Sequence, residues 1–160
     1  MKKLFLLSTF VIFAFGNVNA QGAGFGVKAG YNAVSFDFGG ASVSEGGFFV
    51  GLGYEFDLSE SIDLEPSLLY SSVKDLSSLY IPVMFKYNLS EEFNIQAGPQ
   101  VNYILEDEFD EAAFGLDIAV GAGYDITEDF FAEARYGFQV SRDLEGVDVN
   151  TFTIGVGYRF

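Results

Sequence analysis

Cysteine, histidine and tryptophan are absent from this chain, and proline occurs 3 times. Without cysteine there is no disulfide, no thiolate nucleophile and no sulfur ligand for a metal. The lack of histidine removes the usual general base at neutral pH and the commonest transition-metal ligand. Most familiar routes to an enzyme close with it, so the chain reads as non-enzymatic, with no catalytic residue, cofactor or metal site. Positive charge is also scarce: Lys and Arg total 8 against 23 Asp and Glu, a formal net charge of -15. Nucleic acid is excluded as a partner, because phosphate contacts need clustered basic residues. No apolar run has the roughly 20 residues that a membrane-spanning helix requires.

What the 160 residues do contain is Phe 19, Tyr 9 and Gly 19, the composition of many short strands meeting at crowded or curved places. Lys2 and Lys3, the apolar run Leu4 to Phe15, and Val18, Asn19 and Ala20 before Gln21 have the layout of a secretory signal peptide. Residues 1–20 are therefore expected to be removed between Ala20 and Gln21, leaving 21–160 as one domain. An exported chain with positive mean hydropathy and no apolar helix has one way into a membrane, a closed barrel.

Period-2 alternation runs through almost everything after Gln21. In the last segment Phe152, Ile154, Val156, Tyr158 and Phe160 share one face, and Thr151, Thr153, Gly155, Gly157 and Arg159 the other. The same reading predicts eight strands, near 23–32, 47–57, 61–72, 78–88, 92–104, 113–125, 129–141 and 150–160. One face of each, such as Val27, Ala29 and Tyr31 or Leu79, Ile81, Val83 and Phe85, carries no Asp, Glu, Lys or Arg. The other carries Lys28, Glu55, Asp63, Glu65, Lys86, Asn94, Gln96, Gln100, Asn102, Asp117, Glu133, Arg135, Gln139 and Arg159. An even number of strands of about ten residues, apolar outside and polar inside, is the pattern of an antiparallel up-and-down transmembrane β-barrel.

Connections alternate in length. Those near 58–60, 89–91 and 126–128 are tight and suit periplasmic turns. Those near 33–46, 73–77, 105–112 and 142–149 are longer and suit extracellular loops. Aromatic residues form two belts, one including Phe25, Tyr54, Tyr87, Phe93, Tyr124, Phe130 and Tyr158, the other Tyr31, Phe48, Tyr70, Tyr103, Phe114, Phe138 and Phe152. Pro66, Pro82 and Pro99 fall inside strands, where each removes a ladder hydrogen bond, so bulges or weakened pairing are expected there.

Several segments resemble the PorT-like "porin family" of outer-membrane barrels of Bacteroidetes type, small eight-stranded barrels like those of the OmpA and OmpX families. They are LEPSLLY from Leu64 to Tyr70, LYIPVMFKY from Leu79 to Tyr87, AGPQ from Ala97 to Gln100, GAGY from Gly121 to Tyr124, ARY from Ala134 to Tyr136, and GVGYRF from Gly155 to Phe160. The resemblance spans the whole chain after the leader, and in that family the strand prolines recur. It implies an integral protein of a Gram-negative outer membrane, in contact with its lipid and lipopolysaccharide. Val156, Tyr158 and Phe160 look like the terminal signal read by the barrel-assembly machinery. The family label implies no activity.

An eight-stranded barrel has room inside only for side chains, and a lone buried charge is costly. Simple hairpins place Glu65 opposite Lys86, Glu133 opposite Arg159 and Asp117 near Arg135, predicting a lumenal ion-pair network that plugs the barrel. The run Glu106 to Glu111 is acidic enough to suggest a divalent cation but lacks the spacing of a calcium-binding loop, and reads as a solvated surface loop. A structural or surface-interaction barrel, with an extracellular ligand or protein met through the long loops, is the expected function. The alternative is a small-solute or ion pore. A soluble lipocalin-like carrier would need the apolar faces turned inward.

Overall fold

The computed structural model describes residues 24–106, 113–142 and 146–160. The expected leader at 1–20, its junction at Ala20 and Gln21, and the acidic run from Asp107 to Glu111 lie outside the described residues. Eight strands follow one another as β1 (Gly24–Asp37), β2 (Ser42–Ser59), β3 (Ile62–Val73), β4 (Leu76–Asn88), β5 (Phe93–Ile104), β6 (Phe114–Asp125), β7 (Phe130–Arg142) and β8 (Asp148–Arg159). Each pairs antiparallel with its neighbours, and β1 pairs with β8, so the sheet closes into a barrel. Closure removes the unpaired edges that an open sheet would leave. Gly24 and Phe160, the first and last described residues, lie at one rim, called here the terminal end; the other is the distal end.

Alternation explains which way each residue faces. Along β1, Phe25, Val27, Ala29 and Tyr31 are exposed, while Gly26, Lys28, Asn32 and Val34 are buried. The charge-free face is therefore the outer wall, and its apolar side chains are its most exposed ones, Phe48 at 52 % and Ile154 at 49 % among them. Aromatic residues cluster at the terminal rim, where Phe130 stacks edge-on against Tyr158 at 4.9 Å and Tyr158 against Phe160 at 5.0 Å. Such contacts add to what their burial in lipid contributes.

The distal connections are shorter than alternation alone suggests. The ladder between β1 and β2 continues to Asp37 opposite Ser42, so the connection expected at 33–46 shrinks to Phe38–Ala41. Gly39 takes a positive φ of 76°, and its amide is capped by the Asp37 carboxylate at 2.9 Å. The expected loop at 73–77 is a two-residue turn, Lys74 and Asp75, with Lys74 at φ 53°. A left-handed residue lets a two-residue hairpin follow the twist of its strands. Lys74 also bonds Glu45 of the neighbouring β2 at 3.0 Å, and that carboxylate pushes the lysine pKa up.

Pairing lapses at each strand proline, always on the side of the preceding strand. The ladder partners Tyr54 and Pro66, Ser67 and Pro82, and Val83 and Pro99 are missing. On the following side, Pro66 pairs with Val83, Pro82 with Gln100 and Pro99 with Ile118. The register is unchanged across all three gaps, so a missing N–H removes bonds without shifting a strand.

The interior is layered rather than uniformly polar, which corrects the expectation of a lumen filled by polar and charged groups alone. A charged layer near the terminal end is followed by an apolar cluster of Phe49, Leu69 and the ring of Tyr80, and Met84 and Ala119 are buried as well. Gly30, Gly98 and Gly137 occupy that level on other strands. A side chain at Gly30 would collide with the backbone of β8 and the ring of Phe49, so glycine there makes room for the aromatic ring. Beyond lies a largely uncharged polar layer, and toward the distal end Val34, Val73 and Val149 form an apolar cluster with Phe36 and Val147 against them.

Candidate functional site: the lumenal charge network

Seven of the eight strands supply a charged side chain to the layer near the terminal end, and β5 supplies Gln96. Lys28 comes from β1, Glu55 from β2, Glu65 from β3, Lys86 from β4, Asp125 from β6, Glu133 and Arg135 from β7, and Arg159 from β8. Four cations thus meet four carboxylates. Glu65 is the hub: its Oε1 accepts from Lys28 at 2.5 Å and Arg135 at 2.8 Å, and its Oε2 accepts from Lys86 at 2.5 Å. Ser67 adds a hydroxyl donor at 2.9 Å. Glu133 is held by Lys28 at 3.2 Å and by Arg135 at 2.7 Å. Lys86 also reaches Glu55 at 2.5 Å. Arg135 spends its Nε–H on Gln96 at 2.9 Å.

Lys28, Glu65, Lys86, Glu133 and Arg135 are all buried, with Lys86 only 2 % exposed. Charges removed from water this far hold only if paired and hydrogen-bonded on several sides, and the multiple partners meet that condition. Phe131 sits among them. Its ring lies 5.5 Å from Lys28 Nζ, 5.7 Å from Lys86 Nζ and 4.8 Å from the Arg159 guanidinium. The ring fills the space over Gly157, and its negative face adds attraction to all three cations.

Where the sequence placed pairs, the register decides. Asp63 stands opposite Lys86 and Glu65 opposite Met84, yet the lysine stem reaches diagonally and Lys86 meets Glu65. The expected pair of Glu133 with Arg159 does not form. Glu133 stands opposite Gly155, leaving Arg159 nearer the terminal rim, where it binds Asp125 at 2.8 Å and Glu55 at 3.4 Å. Nor does Asp117 meet Arg135. Gly121 stands opposite Arg135, and Asp117 lies in the distal polar layer, accepting from Asn102 at 2.7 Å and Gln100 at 3.0 Å. Lys28 was on the polar face of the sequence but unassigned. Its partners are 37 and 105 residues away, brought near by closure and not by any hairpin.

At the terminal rim the network opens into a cavity of about 280 Å³ whose walls include Glu55, Asp63, Lys86, Asn88, Asp125 and Arg159. Val156 and Phe160 point outward at this rim, and Tyr158 is half-buried between its aromatic neighbours. Among the described residues no group of three or more Asp or Glu is placed to hold a metal ion. What the arrangement does chemically is neutralise charge and fill volume.

No curated protein matches the chain by sequence. Among solved structures it is similar to Neisserial surface protein A, with a TM-score of 0.58 and 14% identity, over 88% of this chain and 100% of that one. It is likewise similar to Ail, the attachment invasion locus protein of Yersinia pestis, with a TM-score of 0.56 and 19% identity, over 88% of this chain and 100% of that one. A third likeness is the N-terminal β-barrel domain of Pseudomonas aeruginosa OprF, with a TM-score of 0.50 and 19% identity, over 84% of this chain and 97% of that one. At such identities the likeness is one of fold alone. The family model described as "Outer membrane protein beta-barrel domain" matches residues 5–160. The chain belongs to that family, and its place is the outer membrane of a Gram-negative cell.

Proposed function

We propose that this barrel is a non-enzymatic, solute-tight component of the outer membrane, acting through its place in the membrane and through its distal rim. The observation that carries the reading is the interior: a paired charged layer, an apolar layer, a polar layer and an apolar cap succeed one another along the axis. The pore alternative needs a continuous aqueous path, and these buried side chains leave little room for one. Liposomes holding the refolded protein should shrink and stay shrunken in hypertonic sugar or salt. Rapid reswelling, at a rate set by the amount of protein, would favour the pore.

The remaining parts of this reading follow from the same chemistry. The chain is a PorT-like barrel of Bacteroidetes type, delivered by removal of residues 1–20 between Ala20 and Gln21. The assembly machinery reads its last strand through Val156, Tyr158 and Phe160. N-terminal sequencing of the protein from purified outer membranes tests the cleavage.

The distal rim is acidic. Asp37, Glu45, Asp75, Glu106 and Asp148 border it, while its basic residues are Lys74, bound to Glu45, and Arg142. Ail has been solved in complex with the heparin analogue sucrose octasulfate. The rim here is acidic, of the same sign as that polyanion, and suits a cationic partner, or lipopolysaccharide phosphates bridged by divalent cations. Calorimetry with calcium and with a polycation, each against sucrose octasulfate, separates these preferences.

A further inference from the structure

The cavity at the terminal rim carries more negative charge than the ion pairs behind it cancel. Five carboxylates and two cations line it. Both cations are already held: Lys86 by Glu55 and Glu65, and Arg159 by Glu55 and Asp125. That leaves Glu60, Asp63 and Glu91 on its walls, with no cation in ion-pair contact among the described residues. Glu60 is exposed in the turn between β2 and β3, and Glu91 in the turn between β4 and β5. The Asn88 amide at the end of β4 bonds the Ser61 carbonyl at 2.9 Å, which ties the first of these turns to the strand that leads into the second.

Asp63 is the residue that calls for a ligand. It is 9 % exposed and stands directly opposite Lys86 in the ladder. The lysine nevertheless reaches past it to the deeper carboxylates, and Asp63 keeps one neutral donor, the Asn88 side-chain amide at 2.7 Å. The like charges of Glu55 and Asp57 each act on it more strongly than Lys86 does. A carboxylate this far from water is costly without a counter-charge. Asp63 faces a cavity instead of packed protein, so the counter-charge has room to enter from outside.

We infer that this cavity is a binding site for a small organic cation with a primary ammonium group, seated against Asp63 with Glu60 and Glu91 at its mouth. An ammonium has three donors and no acceptor, which suits walls whose unspent groups are carboxylates. The volume of about 280 Å³ lies just below the range of small-molecule sites, roughly 300–1,000 Å³. It accommodates an aliphatic diamine or the side chain of a lysine. A bare metal ion fits less well, because no three carboxylates among the described residues converge on one point. The site is independent of the closed-lumen reading, since the cavity opens at the rim whether or not a solute crosses the barrel.

Nuclear magnetic resonance of the refolded barrel in uncharged detergent micelles tests the site, with cadaverine and acetyl-lysine amide as probes at constant ionic strength. The side-chain amides of Asn88 and Asn94, both on the cavity wall, should shift saturably with each probe. Tighter binding of cadaverine makes the ligand a free diamine, and tighter binding of the lysine amide makes it the side chain of a peptide. Asp63→Asn should weaken binding roughly 10- to 100-fold, the worth of one hydrogen bond between charged groups. Asp75→Asn, at the distal rim, should leave it unchanged. If Asp63→Asn does not fold, Glu60→Gln combined with Glu91→Gln in the exposed turns takes its place and should weaken binding several-fold. Shifts that never saturate, or that Asp75→Asn weakens equally, would reduce the effect to general attraction and overturn the inference. So would saturation by calcium at lower concentration than by cadaverine, or saturation by inorganic phosphate with no response to either amine.

Discussion

At the residue scale the barrel depends on a few inward side chains with many partners. Glu65 takes three cations, so Glu65→Gln leaves Lys28, Lys86 and Arg135 short of one charge in a dry interior. The expected cost is about 3–5 kcal/mol, the range for breaking one side of a buried ion pair, measured by urea unfolding in lipid vesicles. A loss below about 1 kcal/mol, the worth of a surface pair, would mean that the network is hydrated and loose. Phe131→Ala should cost about 3–5 kcal/mol by the same measurement, because it opens a cavity over Gly157 and removes the ring beneath three cations.

Residues of this kind were only half legible. Glu65, Lys86, Glu133, Arg135 and Arg159 announce themselves as charges on the polar face of strands. Their partners do not, since closure brings β1 against β8 and lets long side chains cross the lumen. The inward aromatic and aliphatic residues were hidden for another reason. Phe49, Leu69 and Phe131 each follow an outward apolar residue, Phe48, Leu68 and Phe130. In such doublets a period of two cannot say that the second residue packs inside. The readable signal was the glycine across from each, Gly30 for Phe49 and Gly157 for Phe131.

At the scale of elements, alternation located all eight strands and the aromatic cluster at the terminal rim, and misjudged the distal ends. Serine, glycine and aspartate look like loop between 33 and 46, yet Val34 and Phe36 on β1 and Val43 on β2 continue the strand pattern, and the ladder follows them. The prolines were rightly placed inside strands. What could not be read was that their lapses are staggered across three adjacent interfaces while the register holds. Hydrogen exchange in micelles should therefore be fastest, among mid-strand amides, between β2 and β5. Pro99→Val should slow it at the interface of β4 and β5 by restoring a donor. Equal protection around the whole barrel would contradict this.

The two-residue turn makes a second element-scale prediction. Lys74 holds a left-handed conformation that is strained for a non-glycine residue, while its bond to Glu45 is exposed and screened by solvent. Lys74→Gly should then be neutral to stabilising in the same unfolding experiment. A clear destabilisation would show that the ion pair matters more than the backbone.

For the whole molecule, charge is sorted by place. Lys28, Lys86, Arg135 and Arg159 point into the barrel against their carboxylates, while Lys74 stands on the distal surface. Much of the remaining acid lies at the two rims, which keeps them hydrated while the wall between is apolar and charge-free. Such a molecule is anchored by its exterior and closed by its interior. The direct test is single-channel conductance of the refolded protein in a planar bilayer. Protein shown to be folded should give no stable channel. A steady conductance from the unsubstituted protein, rising when Lys86 or Arg159 is replaced, would make the lumen a path and contradict the account.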